Sequence, residues 1–128
     1  MSPAHAALAA ITYLLAKHAV ADFCLQTQLI YRQKAIYGAP GGLLHAFIHS
    51  LLTAPVFVLF PTGSAALAVT LLAAEFTIHY HIDWAKEQIV GHYGWKFADR
   101  AYWAALGVDQ FLHGLTYVGL LWLWLPAA

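Results

Sequence analysis

Charge is what this 128-residue chain has least of. Asp, Glu, Lys and Arg make up 9% of it and apolar residues 62%, whereas ordinary soluble domains carry roughly 25% charged residues. That scarcity excludes an ordinary soluble protein. Basic and acidic residues number six each, so no excess positive charge exists to hold a nucleic acid. A single cysteine, Cys24, excludes an internal disulfide framework and a Cys-based zinc ribbon. No Gly-x-Ser-x-Gly occurs, and Cys24 has no evident activating partner, so the familiar acyl-transfer nucleophiles are missing. No internal repeat or low-complexity run is evident. The first apolar stretch lacks a basic leading region and carries polar residues inside it, so it is expected to stay as a helix rather than be cleaved. The length suits one domain, 1–128, without room for a separate soluble one.

What is present is apolar sequence in long runs. A membrane-spanning helix needs about 20 mostly apolar residues. Four segments qualify: 4–26, 42–60, 64–86 and 99–125. Pro61-Thr-Gly-Ser64 makes a tight turn between the second and third, and Gly38-Ala-Pro-Gly-Gly42 breaks the chain before the second. The expected fold is all-α, an integral membrane four-helix bundle running up-down-up-down.

Lys and Arg set the expected orientation. Arg32 and Lys34 lie in the 27–41 connection; Lys86, Lys96 and Arg100 lie in 86–100; only Lys17 lies inside a helix away from these loops. Basic loops stay cytoplasmic. Both longer connections are therefore expected at the cytoplasmic face of a bacterial inner membrane, with both termini outside. In these connections Leu29, Ile30, Tyr31, Ile36 and Tyr37, and then Ile89, Val90, Tyr93, Trp95 and Phe97, alternate with polar residues. Aromatics beside Lys and Arg suit short segments lying at the headgroups, in preference to a substrate lid.

Ionisable side chains inside a membrane are costly and usually face the bundle interior. Here they recur at one spacing. His18 and Asp22, His45 and His49, Glu75, His79 and Asp83, and Asp109 and His113 are all four residues apart, which aligns each set on one helical face. Eight His and six Asp or Glu placed at random in this length would give roughly one or two such pairs; the helices hold five. In an up-down-up-down arrangement all nine side chains fall in one leaflet, most of them roughly 5–20 Å inside the basic loops at 1.5 Å per residue.

Imidazole and carboxylate without thiolate suit one or two divalent transition-metal ions: Zn, Fe or Mn. Helix-borne His and carboxylates are how di-metal sites are built in four-helix proteins. The candidate ligands are His18, Asp22, His45, His49, Glu75, His79, Asp83, Asp109 and His113. Nine exceed one coordination sphere, so either two ions share them or some orient the others. His45-x-x-x-His49 is the strongest local pair, and Asp83 and Asp109 are the favoured bridging or terminal carboxylates. Glu75, one turn deeper, suits a ligand or a proton-transfer group. Two other readings of the layer remain: a hydrogen-bond network holding helices together, and a haem held by two axial histidines, which leaves the carboxylates without a role.

Gln26, Thr53 and Thr116 continue the polar faces and are candidates to orient ligands. Lys86 either pairs with Asp83 or extends to the headgroups, the latter preferred. His5, His81 and His92 are not expected as ligands. Pro55 should kink the second helix, and Trp122 and Trp124 read as an anchor in the outer leaflet.

In order, the motifs are His18-x-x-x-Asp22-Phe23-x-Leu25-Gln26, His45-x-x-x-His49, His79-x-x-Ile82-Asp83-x-x-Lys86 and Asp109-Gln110-x-x-His113. Together they resemble a bacterial membrane-protein family known as domain of unknown function 3307, over nearly the whole chain. The resemblance implies a small multi-span membrane protein and agrees with four helices, but names no reaction.

Three functions compete. The first is an intramembrane metal-dependent hydrolase acting on a lipid or amphipathic substrate, with Asp22, Glu75 or Asp109 as general base. The second is a di-iron or copper oxidoreductase acting on an acyl chain or quinone. The third is a non-enzymatic metal transporter, sensor or metal-stabilised bundle. A through-path is disfavoured because the outer half offers only Thr12, Tyr13 and Thr70. Membrane lipids are the expected partners; a homo-oligomer is left open.

Overall fold

The computed structural model describes residues 1–126, and among them there are five helices and no strand. The long helices are α1 (Pro3–Phe23), α3 (Pro40–Leu59), α4 (Ala65–Tyr93) and α5 (Arg100–Trp124). A short α2 (Gln28–Gln33) lies in the first connection, where the sequence suggested an interfacial segment. Local chemistry explains the starts. Ser2, Thr27 and Ser64 each accept a backbone N–H three residues on, and Pro3 and Pro40 fill first-turn positions that need no N–H donor.

The expected helix bounds need one clear revision. The third apolar segment does not stop at Lys86: α4 runs one to two turns further, to Tyr93. Nothing in 87–92 breaks a helix, and the stop comes at Gly94, whose left-handed φ of 65° closes the last turn.

Each long helix has two long neighbours: α3 packs on α1 and α4, and α5 on α1 and α4. At one end Ala10 and Leu14 meet Val56 and Phe57, Leu71, and Leu120 and Leu121 in a single apolar cluster. Trp124 belongs to this cluster, correcting its reading as a lipid anchor. It is 4% exposed, its Nε1 donates to the Phe60 carbonyl at 2.6 Å, and its ring lies against Phe57. The turn makes room for it, since a Cβ on Gly63 would sit 2.5 Å from the indole. Trp122, by contrast, is 84% exposed.

Polarity is inverted relative to a water-soluble fold. Val58, Leu59, Val69, Phe111 and Trp122 face outward, while Lys17, His18, His45, His49, Glu75, His79, Asp83, Asp109 and His113 are buried. Water-soluble surfaces do not carry so continuous an apolar exterior. α1, α3 and α4 are long and apolar enough to cross a membrane. α5 has the length but not the mean hydropathy, because Asp109, Gln110, His113 and Tyr117 dilute it; the first, third and fourth of these are buried.

α2 lies over the start of α3. Gln33 Oε1 accepts the Gly41 N–H at 2.6 Å, and a Cβ on Gly41 would come within 2.9 Å of the Leu29 carbonyl, so only glycine allows this approach. The packing carries Lys34 inward to 6% exposure. Lys34 was expected among the basic residues of a loop; it is instead part of the polar interior.

Candidate metal centre

The spacing of four along each helix turns the ionisable residues toward a common axis. Five imidazoles, His18, His45, His49, His79 and His113, pack together. Ring centroids are 3.9 Å apart for His49 and His79, and 4.1 Å for His79 and His113. Two groups of donor atoms form. Asp22, His45, His49 and His79 make one, and His79, Asp83 and His113 the other; within each, every donor lies within 4.8 Å of the rest.

In the first group, Asp22 Oδ1 is 3.0 Å from His49 Nε2 and 3.1 Å from His45 Nε2. In the second, Asp83 Oδ1 is 3.1 Å from His113 Nε2, and Asp83 Oδ2 is 3.3 Å from His79 Nε2. These separations match the edge of a coordination sphere with bonds of about 2.0–2.2 Å, roughly 3.3 Å for a tetrahedron. Proximity here is not hydrogen bonding throughout. His45 Nε2 and His79 Nε2 are buried without a hydrogen-bond partner, despite the carboxylate oxygens nearby. Asp109 Oδ1 and Glu75 Oε2 are in the same condition. Buried polar atoms are ordinarily satisfied, so the two imidazole nitrogens, which share the first donor group, fit a bound cation.

The charge balance points the same way. The interior holds four carboxylates, Asp22, Glu75, Asp83 and Asp109, against two ammonium groups, Lys17 and Lys34. With the imidazoles neutral, two negative charges are left over, the charge that one divalent ion or two imidazolium groups would neutralise. An uncompensated charge in so dry a place is strongly unfavourable.

Three of the nine expected ligands lie outside both groups, and each is engaged otherwise. His18 uses both ring nitrogens: Nε2 donates to Gln110 Oε1 at 3.0 Å, and Nδ1 accepts from the Tyr117 hydroxyl at 2.8 Å. Its Nε2 is also 3.1 Å from Asp22 Oδ2. Glu75 Oε1 accepts from Lys17 Nζ at 2.7 Å, so it is tied to a cation one layer deeper. Asp109 lies beside the second group, its Oδ1 3.5 Å from His113 Nε2. His81 lies outside both groups; its Nδ1–H donates to the Thr77 carbonyl and its Nε2 then accepts from Tyr37. His5 and His92 are exposed.

Four participants escaped the sequence reading. Gln110 bridges the carboxylates: its Nε2 donates to Asp22 Oδ2 at 3.0 Å and Asp109 Oδ2 at 3.1 Å. Tyr117 extends the Asp109–His113 spacing by four more residues, a signal that was available. Thr116, chosen instead, is half-buried and bonds its own helix at Leu112. Lys17 donates to the His49 carbonyl at 2.8 Å as well as to Glu75, and stands over the Tyr117 ring. Lys34 reaches Asp83 Oδ2 at 3.1 Å, where Lys86 was considered; Lys86 pairs with Glu87 at 2.6 Å. Thr53 bonds back to His49 on its own helix. Gln26 has a buried Oε1 without a partner.

No curated protein and no solved structure matches the chain. A family described as protein of unknown function, DUF3307, matches residues 10–125, a stretch that includes all four helical motifs and both donor groups. The chain belongs to the DUF3307 family.

Proposed function

We propose that this is an integral membrane protein that binds a divalent transition metal in its histidine–aspartate layer and uses it to hydrolyse a lipid or amphipathic substrate from the cytoplasmic leaflet. The observation that carries the metal reading is the set of buried, unbonded donors, His45 Nε2 and His79 Nε2, inside groups whose other members lie at coordination-edge distances. All-nitrogen and oxygen donors suit Zn, Fe or Mn.

The bundle is read as four helices running up-down-up-down. Residue numbers support this: the polar layer joins rising positions on α1 and α4 (His18 to Asp22, His79 to Asp83) with early positions on α3 and α5 (His45, Asp109). With the basic loops inside, both termini face the periplasm. A reporter fused after residue 128 should therefore read as periplasmic. A cytoplasmic signal would reverse the orientation and put the layer in the other leaflet.

The two donor groups differ in kind. Asp22, His45, His49 and His79 would saturate a tetrahedral ion, as structural sites do, whereas His79, Asp83 and His113 would leave a position free, as catalytic sites do. His79 Nε2 can serve only one ion at a time, so two ions at once require another ligand between them. When bound, the ion supplies Lewis acidity and makes water a nucleophile at neutral pH. Asp109 is the base of choice among Asp22, Glu75 and Asp109, because Asp22 belongs to the closed group and Glu75 is held by Lys17. Its unbonded Oδ1 can take up a proton beside His113.

The test uses purified protein loaded with Zn or Fe in phospholipid vesicles, with released products read by mass spectrometry. Asp109→Asn should keep its metal and lower turnover by about 10²–10⁴-fold, the range for loss of a general base. A metal-loaded structure in which protein ligands enclose the ion, without water and without an opening, would overturn the enzyme reading and leave a metal-stabilised bundle.

A further inference from the structure

One groove on the outer surface reaches the polar interior. It runs between α4 and α5, encloses about 660 Å³, and is lined along α4 from Ile78 to Ile89 and along α5 from Ala101 to Leu112. Small side chains open it: Ala85 on α4 faces Ala101, Ala104 and Ala105 on α5. The volume is that of an ordinary ligand pocket, about 300–1,000 Å³. Along α4 the lining spans roughly 16 Å at 1.5 Å per residue, about half of a hydrocarbon core of ~30 Å. It is therefore as long as one leaflet is deep.

The polar residues of the groove make it more than a seam between helices. Asp109 is part of its wall; the residue is 4% exposed and its Oδ1 has no hydrogen-bond partner. Lys86, paired with Glu87, and Trp95 also line it, and both are residue types that suit the headgroup level. His81 is there too, but both its nitrogens are committed to Thr77 and Tyr37. A second groove serves as a comparison. It lies between α1 and α5, encloses about 600 Å³, and is lined by Ala7, Leu8, Ile11, Val118, Leu121, Trp122, Leu125 and Pro126, none of them ionisable.

We propose that the α4–α5 groove is the substrate's access site and takes one acyl chain of a phospholipid, with the phosphate at Lys86 and the ester region beside Asp109. This deepens the membrane hydrolase reading and rests on it. Lys86, although shared with Glu87, is the one ammonium group among the groove's lining residues and stands toward the shallower end of the α4 wall, where a headgroup phosphate would compete for it; the hydrocarbon-lined remainder, toward Ile78 and Leu112, runs deeper. An acyl chain seated there brings its ester to Asp109, whose unbonded Oδ1 lies 3.5 Å from the donor histidine His113; Glu75, the other carboxylate with an unbonded buried oxygen, does not line the groove.

The experiment needs no turnover. The protein is placed in phosphatidylglycerol vesicles doped with a phosphatidylglycerol carrying a diazirine in its acyl chain, then irradiated and mapped by peptide mass spectrometry. Labelling at the α4–α5 groove should exceed that at the α1–α5 groove about tenfold, the factor one charge-assisted hydrogen bond supplies. Ala105→Trp fills the groove and should abolish the excess; Lys86→Gln, which leaves the packing alone, should reduce it. Equal labelling of both grooves would overturn the proposal and mark the lipid as surrounding solvent only. Metal content measured on the same samples separates the two readings. Metal-loaded protein without groove enrichment sinks the access site and spares the metal centre; enrichment without metal does the reverse.

Discussion

Replacing His79 with alanine should strip bound metal from the protein more completely than any other single substitution. His79 is the one residue present in both donor groups, so its loss leaves three donors in one and two in the other. Loss of a residue that merely orients a ligand lowers affinity about 10–100-fold, and loss of a ligand should exceed that range. His49→Ala removes a donor from the closed group alone, and His113→Ala from the open group alone; both should retain part of the metal. His5→Ala and His92→Ala remove exposed rings and should change nothing. Metal-to-protein ratios by elemental analysis, on samples that elute as a single species, decide the matter. Full occupancy in His79→Ala would reduce the layer to a hydrogen-bond network.

Splitting the Lys17–Glu75 pair should cost more stability than removing it. The two side chains are 3% and 0% exposed, so water does not screen their attraction or relieve either charge left alone. Breaking a buried pair by deleting one partner is destabilising by about 3–5 kcal/mol, whereas replacing both by apolar groups is often neutral or favourable. Lys17→Met and Glu75→Leu should each lower the thermal midpoint in detergent sharply, and the double variant should recover most of the loss. The His49 carbonyl that Lys17 serves still accepts from Thr53 in the double variant. Neither residue belongs to a donor group, so metal content should survive in the double variant. A double variant as unstable as the worse single one would show that the two charges do not chiefly compensate each other.

The legible part of this protein was periodic. A spacing of four put His45 beside His49 and His79 beside Asp83 on single faces, and apolar runs located four long helices to within a few residues at most ends. The same arithmetic applied once more along α5 leads to Tyr117, but a hydroxyl on Thr116 looked equally polar in one dimension. Gln110 could not be reached this way. It is one residue from Asp109, off the shared face by helical geometry, and its role depends on α1 bringing Asp22 within 3.0 Å. Lys34 was misjudged for a related reason, and Lys17, noted only as the one basic residue inside a helix, was given no partner. Basic residues near the ends of spans usually extend to the headgroups, and only packing across helices shows that a carboxylate awaits each of them inside. The division of nine candidates into a closed set, an open set and three outside both is likewise a matter of which helices touch, which no spacing encodes.

The inverted polarity of the fold also bears on how its stability should vary with temperature. A water-soluble protein has a curved stability profile because unfolding hydrates apolar surface and raises the heat capacity. Here the outward residues, Val58, Leu59, Val69 and Phe111 among them, already face an apolar medium in the bilayer reading. Separating the helices within that medium would expose polar groups to hydrocarbon and hydrate little. The heat-capacity increment should then be small and the profile close to a straight line, without a cold-denaturation limb. Cohesion would come from the ion, the paired charges and close packing, in a setting where the hydrophobic effect has no water to act against.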